Sequence, residues 1–521
     1  MDYLKSYISS NLQRGLNFHQ NGRLVDAQKI YQDILKIQPS HADALNLLGV
    51  IFYQTGKLDE SAASIKKAIK INANFAAFQL NLANTLIALE QFDEALLSCN
   101  KAIQLQADYP LAYSTKGALL QKLNRAAEAL ENYSTAISMS PASAEFYYNR
   151  ANAHKQMEDF ELAIHDYFQA IAYRANFPEA HLNCGDSYLN QGKLAHAIRH
   201  FDEAISLRPH YAQANWAKSI ALLLSGDFEH GLPLHEWRWK LNEKDDDWHN
   251  FAKPVWDGTQ ELHGKTILIH TEQGLGDAIQ FARYAANLAD LGAKVILQAP
   301  AVLLDLFASL NGVDTLVSNC DSLTDFDYFC PMLSLPGAFK TTLGSIPAQL
   351  SYLSAAESAL LKWGTILGER KSKRVGIVWS GNASLANDKN RSIRLDQLLK
   401  AIPTGWEIFS LQTEVRPHDA LALTSHPEVK SFPEYIGNFS DTAAICQHMD
   451  IVVSVDTSIA HLSAALGRPT WILLPFAPDW RWMLHREDSP WYPTATLFRQ
   501  ERIAEWEAPL NLLREKLASY A

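Results

Sequence analysis

The sequence predicts two kinds of structure in one chain: an all-α row of seven helical hairpins, then an α/β region made of two consecutive halves. Three observations lead there. A 34-residue repeat runs through the first half; the pattern changes at Lys265 to short apolar runs alternating with helical stretches; and a second series of the same kind opens at Arg374. At 521 residues the chain exceeds what one hydrophobic core supports, so several separately packed units are expected.

The repeat is read from units starting at positions 8, 42, 76, 110, 144, 178 and 212. Their eighth residues are Gly15, Gly49, Ala83, Gly117, Ala151, Gly185 and Ser219, all small. Twelve residues later stand Ala27, Ser61, Ala95, Ala129, Ala163, Ala197 and Gly231, so two antiparallel helices can approach closely. Large residues recur at the twenty-fourth place, as Tyr31, Ile65, Tyr133, Tyr167 and Phe201, and are expected to fill the space between one hairpin and the next; Cys99 and His235 fit less well. Pro39, Pro141 and Pro209 end second helices, because proline fixes its backbone and lacks a donor. Turns such as Gln54-Thr55-Gly56-Lys57 and Asn190-Gln191-Gly192-Lys193 join the helices of a hairpin.

In length and small-residue placement this pattern resembles the tetratricopeptide repeat over 8–241, which implies a stacked solenoid with a concave groove. Asn81, Asn149 and Asn183 occupy the sixth place, on the helix that lines the groove in that family. Two readings stand: amides that hold the backbone of an extended acceptor or partner peptide, or residues common at that place of the repeat.

The repeat fades after Trp237-Arg238-Trp239, and the charged run Glu243–Asp247 suits a linker over 242–264, whose aromatic end (Trp248, Phe251, Trp256) suggests a packed segment. The first half spans 265–353, with strands expected at Thr266–His270, Lys294–Gln298, Asp314–Val317 and Tyr328–Cys330. A connecting helix follows over 354–372. The second half spans 373–500, with strands at Arg374–Trp379, Glu407–Leu411, Ile451–Ser454 and Thr470–Leu474, and a last helix lies within 501–521. Two Rossmann-like halves facing across a cleft are the GT-B arrangement, and ligands in such sheets sit at the carboxyl ends of the strands.

Three loops carry the chemistry. The first, Glu272-Gln-Gly274-Leu-Gly276-Asp277, resembles the Gly-Asp loop of family 9 glycosyltransferases, the bacterial heptosyltransferases. By that resemblance Asp277 is the catalytic base, with Gly274 and Gly276 beside the donor; the plainer reading is a helix cap. The second follows the strand ending at Trp379: Ser380, Gly381 and Asn382 allow approach to a diphosphate, and Lys389 or Arg391 supplies a cation for the departing group. That family has lysine before a Trp-Pro pair where this chain has Arg391-Ser-Ile-Arg394, so the match is partial.

The third, Ser454-Val-Asp456-Thr457-Ser458-Ile-Ala-His461…Gly467-Arg-Pro469, resembles the family 9 signature in which an Asp-Thr-Gly turn opens a helix bearing histidine, with Ser458 in place of glycine. Backbone amides at Thr457 and Ser458 suit phosphate oxygens. His461 either faces the ligand or is a packing residue. Gln412 and Glu414 lie where relatives contact the nucleoside, and Phe476–Trp482 either walls a base or sugar or anchors its loop. The resemblance also implies that the terminal helix braces the two halves.

The expected function is an inverting transferase for a nucleotide-diphospho sugar, with the repeat groove recruiting an acceptor. The architecture also resembles O-linked N-acetylglucosamine transferases. The alternative is a non-catalytic scaffold whose α/β region only binds nucleotide. No cofactor is expected, and no metal. A net charge of −11 disfavours nucleic acid as the main ligand. Five scattered cysteines without a CxxC pair suit a reducing compartment. The start, MDYLKSYISSNLQ, has no secretory core, and no run reaches the roughly 18–20 apolar residues of a membrane span, so a cytoplasmic protein is expected, with peripheral membrane contact left open.

Overall fold

A computed structural model describes residues 2–241, 251, 253–319, 323, 325–385 and 387–520. The chain divides into two compact units, Met1–Ser187 and Tyr188–Ala521. The border of compactness thus lies earlier than the change of fold type after residue 241, because the last repeat helices share a core with the α/β region. The expected linker residues 242–250, Trp248 among them, lie outside the described residues.

In the first unit helices pair regularly, from Asp2–Gln20 with Leu24–Ile37 through Ala144–Gln156 with Phe160–Tyr173. The repeat ruler explains the pairing. A Cβ at Gly15 would stand 2.5 Å from Tyr31, one at Gly49 2.5 Å from Ile65, and one at Gly117 2.8 Å from Tyr133. The large residue at the twenty-fourth place therefore packs onto the small residue of its own hairpin as well as toward the next. Tyr31 also reaches Leu48 and Ile51 of the following hairpin. The turn glycines Gly56 (φ 76°) and Gly192 (φ 69°) take the left-handed conformation that the short turn requires.

The sixth-place asparagines bond sideways. Asn81 Nδ2 donates to Asn46 Oδ1 at 3.0 Å, Asn149 Nδ2 to Ser114 Oγ at 3.4 Å, and Asn183 Nδ2 to Tyr148 Oη and Asn152 Oδ1, each at 3.0 Å. They form a ladder between hairpins.

In the second unit the helices Leu194–Leu207, Ala212–Ser225 and Phe228–His235 lead through the 3-10 turn Glu236–Lys240 into the α/β region. Its first lobe is a parallel sheet in the order β3-β2-β1-β4, where β1 is Thr266–His270, β2 Lys294–Gln298, β3 Thr315–Val317 and β4 Tyr328–Pro331. Ahead of it, Phe251 packs edge-on against Phe326 and Trp256 is buried against Phe339.

The second lobe is a parallel sheet of six strands: β5 (Lys373–Val378), β6 (Trp406–Ser410), β7 (Val429–Ser431), β8 (Ile451–Val455), β9 (Thr470–Leu474) and β10 (Ala495–Arg499). Their order, β10-β9-β8-β5-β6-β7, is that of a doubly wound dinucleotide-type fold. β8 and β9 are buried along their whole length, as strands covered on both faces must be.

The lobes share one hydrophobic core, which also takes in Leu223, Leu224, Phe228 and Leu232 of the last hairpin. Arg283 of the first lobe reaches across, donating to the Trp491 carbonyl at 2.5 Å with its guanidinium 4.5 Å from the Tyr492 ring. Helix Glu357–Leu367 packs on helix Phe439–Gln447, where Trp363 Nε1 donates to Asp441 Oδ1 at 2.7 Å. The terminal helix Glu507–Ser519 lies on the second sheet through Leu513 and Leu517, so it braces one lobe rather than both, contrary to the resemblance. No described helix is long and apolar enough to cross a membrane.

Candidate functional site

In the second sheet the chain runs from β5 outward through β6 and β7, then returns to start again at β8 beside β5. The loops leaving β5 and β8 consequently diverge and open a crevice at their carboxyl ends. A cavity of about 560 Å³ occupies it, with Leu275 and Val302 of the first lobe on one side. Ser380, Gly381, Asn382, Gln412, Glu414, Thr457 and Ser458, all expected donor-site residues, line the other side.

Thr457 is the N-cap of helix Ser458–Ala465, and its side chain makes no capping bond. It shares a hydrogen bond with Ser454 Oγ at 3.1 Å instead, so the first amides of the helix have no side-chain acceptor of their own residue cap. Ser380 is buried, and its Oγ has no hydrogen-bond partner among the described residues. Gln412 holds the β5 and β6 loops together: its Oε1 accepts from Ser380 N at 3.3 Å and its Nε2 donates to the Ser380 carbonyl at 3.1 Å. Its amide therefore serves the loop, and Glu414, exposed, remains open to a ligand.

Arg391 sits behind this wall. Its Nη1 donates to the Asp456 carbonyl at 3.2 Å, and its guanidinium lies so close to Gly381 that a Cβ there would collide with it. Asp388, buried, pairs with both Arg391 and Arg416, and Arg416 donates to the Gly381 carbonyl at 3.1 Å. Two cations thus back one glycine loop. Arg416 and Asp388 escaped sequence reasoning, because nothing in a lone arginine before Pro417 marks it. Lys389 is exposed and does not line the cavity.

Below the cavity the lobes meet through helices Leu275–Phe281 and Ser458–Ala465. Gly276 permits this approach, since a Cβ there would stand 2.9 Å from His461 Cδ2. Gly276 is accordingly a contact between lobes and not part of the cavity wall; Gly274 is the exposed N-cap of its helix. Asp277, 17% exposed, accepts from Gly274 N at 2.9 Å and is ion-paired with Arg481. Burial pushes its carboxyl above the ordinary value, against the pull of Arg481.

His461 is not on the cavity wall. Its Nδ1 shares a hydrogen bond of 2.9 Å with Tyr492 Oη, and its ring stacks on Trp482 at 5.1 Å. Burial, then the cations Arg481 and Arg283, hold it neutral, so the expectation of a ligand-facing catalytic histidine gives way to the packing reading. Asp456 lies close by, 3.9 Å from His461 Nε2. Burial, then the Asp479 carboxylate, pushes it up to about 6. Trp480, Arg481 and Trp482 are all buried, so the Phe476–Trp482 segment anchors its loop. Among the described residues no group of three or more histidine, cysteine, aspartate or glutamate side chains is placed to hold a metal ion.

Residues 12–77, 76–109, 120–158, 155–192 and 178–211 match tetratricopeptide repeat families. Residues 437–476, which span β8, the Thr457 turn and β9, match glycosyltransferase family 9 (heptosyltransferase). Protein FlbA of Caulobacter vibrioides is 24% identical over 331 residues, 59% of this chain and 55% of FlbA, so the chain spans about half the length of that curated relative. Among solved structures, a chain of the APC/C hetero-tetramer Cut9–Hcn1 is 17% identical with a TM-score of 0.39, over 41% of this chain and 43% of that one. The pilF structure from Pseudomonas aeruginosa is 18% identical with a TM-score of 0.37, over 40% and 96%. The chain therefore carries tetratricopeptide repeats in its N-terminal region and, at residues 437–476 of the α/β region that follows, a segment of the glycosyltransferase family 9 (heptosyltransferase) type.

Proposed function

We propose that the α/β region is an inverting, metal-independent glycosyltransferase that takes a nucleotide-diphospho sugar, while the repeats present the acceptor, with a protein segment the leading candidate. One observation carries this reading: the cavity between the lobes brings the Thr457 helix start and Ser380 to one wall, with Arg391 immediately behind it. Oxyanions suit helix N-termini and fixed cations, and a departing nucleoside diphosphate gains charge as its bond to the sugar breaks. In the proposed step Asp277 takes the proton of the acceptor hydroxyl, the hydroxyl oxygen bonds to the anomeric carbon, and the electron pair of the breaking bond leaves with the diphosphate. Cys99, Cys184, Cys330 and Cys446 are buried and form no disulfide, which suits a reducing, cytoplasmic setting.

A second reading is a scaffold that binds nucleotide without turnover. It is favoured by the Asp277 carboxylate, both of whose oxygens already have partners. Release of nucleoside diphosphate from nucleotide sugars, with wild type and Asp277→Ala, separates the two. The transferase reading expects turnover that survives EDTA and is lost in the variant; binding without turnover supports the scaffold.

A further inference from the structure

We infer that Arg238, at the end of the last repeat hairpin, is a positioning residue for the loop that carries Asp277, which makes that hairpin a working part of the site. The inference rests on the reading of Asp277 as the base. The side chain of Arg238 is only 4% exposed, and its fork meets Glu272 in two parallel bonds, from Nε to Oε2 and from Nη2 to Oε1, each 3.0 Å. Nη2 also donates to Ser334 Oγ at 2.7 Å, and Nη1 to Glu236 Oε1 at 2.7 Å. Glu272 accepts in addition from Leu333 N at 3.0 Å, so one carboxylate ties the repeat end to the turns leaving both β1 and β4.

The loop needs such an anchor. Immediately after Glu272 comes Gln273 in the left-handed conformation (φ 58°), then Gly274, whose N–H is held by Asp277. A left-handed non-glycine residue followed by glycine does not fix its own path; the surroundings must. The same hairpin also grips the opposite side of the Asp277 ion pair. Trp480, next to Arg481, lies 5.9 Å from the Phe228 ring and 6.1 Å from the His235 ring. One hairpin thus holds both loops whose side chains, Asp277 and Arg481, meet beneath the cavity.

The test uses the full chain with Arg238→Met, Glu272→Met and the double variant. Two readouts are taken: amide exchange over residues 272–278, and nucleoside diphosphate release from UDP-N-acetylglucosamine and ADP-heptose. Arg238→Met leaves the buried Glu272 carboxylate without its cation, so loop exchange is expected to rise and kcat to fall, both about tenfold or more, with donor KM within about twofold. Glu272→Met, which leaves Arg238 still paired with Glu236, is expected to act in the same direction and less strongly. The double variant, with both charges gone, is expected to regain part of each. Loop exchange that stays at the wild-type rate, or that rises equally throughout the second lobe, overturns the inference. Where loss of Arg238 prevents folding, Glu272→Gln gives the same readouts with side-chain volume kept. A wild type that turns over no donor overturns the transferase reading instead, and loop exchange then decides the inference by itself.

Discussion

Asp277, in the first turn of the helix after β1, is ion-paired with Arg481, 204 residues further along the chain on the turn after β9. The pair joins the first lobe to the second and is largely shielded from water; Arg481 also pairs with Asp479 at 2.8 Å, whereas the Asp277 carboxylate has Arg481 as its cation. Removing Arg481 as Arg481→Met leaves a buried carboxylate uncompensated, with an expected loss of about 3–5 kcal/mol of stability, measurable by chemical denaturation. Because Arg481 is what pulls the Asp277 carboxyl down against burial, its loss moves the basic form of Asp277 to higher pH. In any turnover assay the rising limb of the pH profile is expected to shift upward in this variant.

Gly276→Ala tests the contact between the lobes. The new methyl would stand 2.9 Å from the His461 ring, which is pinned between Tyr492 and Trp482. The expected cost is about 1–3 kcal/mol, read as a lower denaturation midpoint. An unchanged midpoint would show that the helices have room to separate.

Asp456 gives a pH signature. Its folded-state value, raised to about 6 from the ordinary 3.8, means that the folded protein prefers the protonated form. This group therefore costs nothing below about pH 4, its cost grows between about pH 4 and about 6, and it is constant above that. In Asp456→Asn that part of the pH dependence disappears, so the gain in melting temperature over wild type is expected to be larger at pH 7 than at pH 4.

Asn183→Ala removes three hydrogen bonds in the first unit: those donated to Tyr148 and Asn152 and the one accepted from Lys155 Nζ. A loss of about 1–3 kcal/mol is expected even with no partner present. If stability is unaffected while capture of a protein partner from solution is abolished, the groove reading of this position is favoured over the ladder.

Much of the fold was legible because its periods are strict. The 34-residue register placed small residues against large ones, as at Gly15 and Tyr31, Gly49 and Ile65, and Gly117 and Tyr133, and the apolar runs at Thr266, Lys294, Arg374, Ile451 and Thr470 marked strands, those at Ile451 and Thr470 buried along their whole length. β7 was missed because Val429-Lys-Ser431 is three residues with a single apolar side chain. β10 was missed because Ala495–Arg499 follows an aromatic, proline-bearing stretch that reads as loop. In the site, positions after strands were readable, since topology alone brings Ser380 and Thr457 to one crevice. Side-chain partners were not. Arg481 for Asp277, Arg416 for Asp388 and Arg238 for Glu272 are tertiary pairings that no local spacing encodes. His461 was ambiguous because a histidine on an apolar helix gives no sign of which neighbour takes its nitrogen; Tyr492 does.

The most direct measurement is calorimetric binding of a nucleoside diphosphate and of the bare nucleoside to wild type and to Arg391→Gln. Loss of a charged hydrogen-bonding group near the diphosphate is expected to weaken the diphosphate about 10- to 100-fold and leave the nucleoside unchanged. Equal diphosphate affinity in the two proteins would contradict a diphosphate held between Arg391 and the Thr457 helix start.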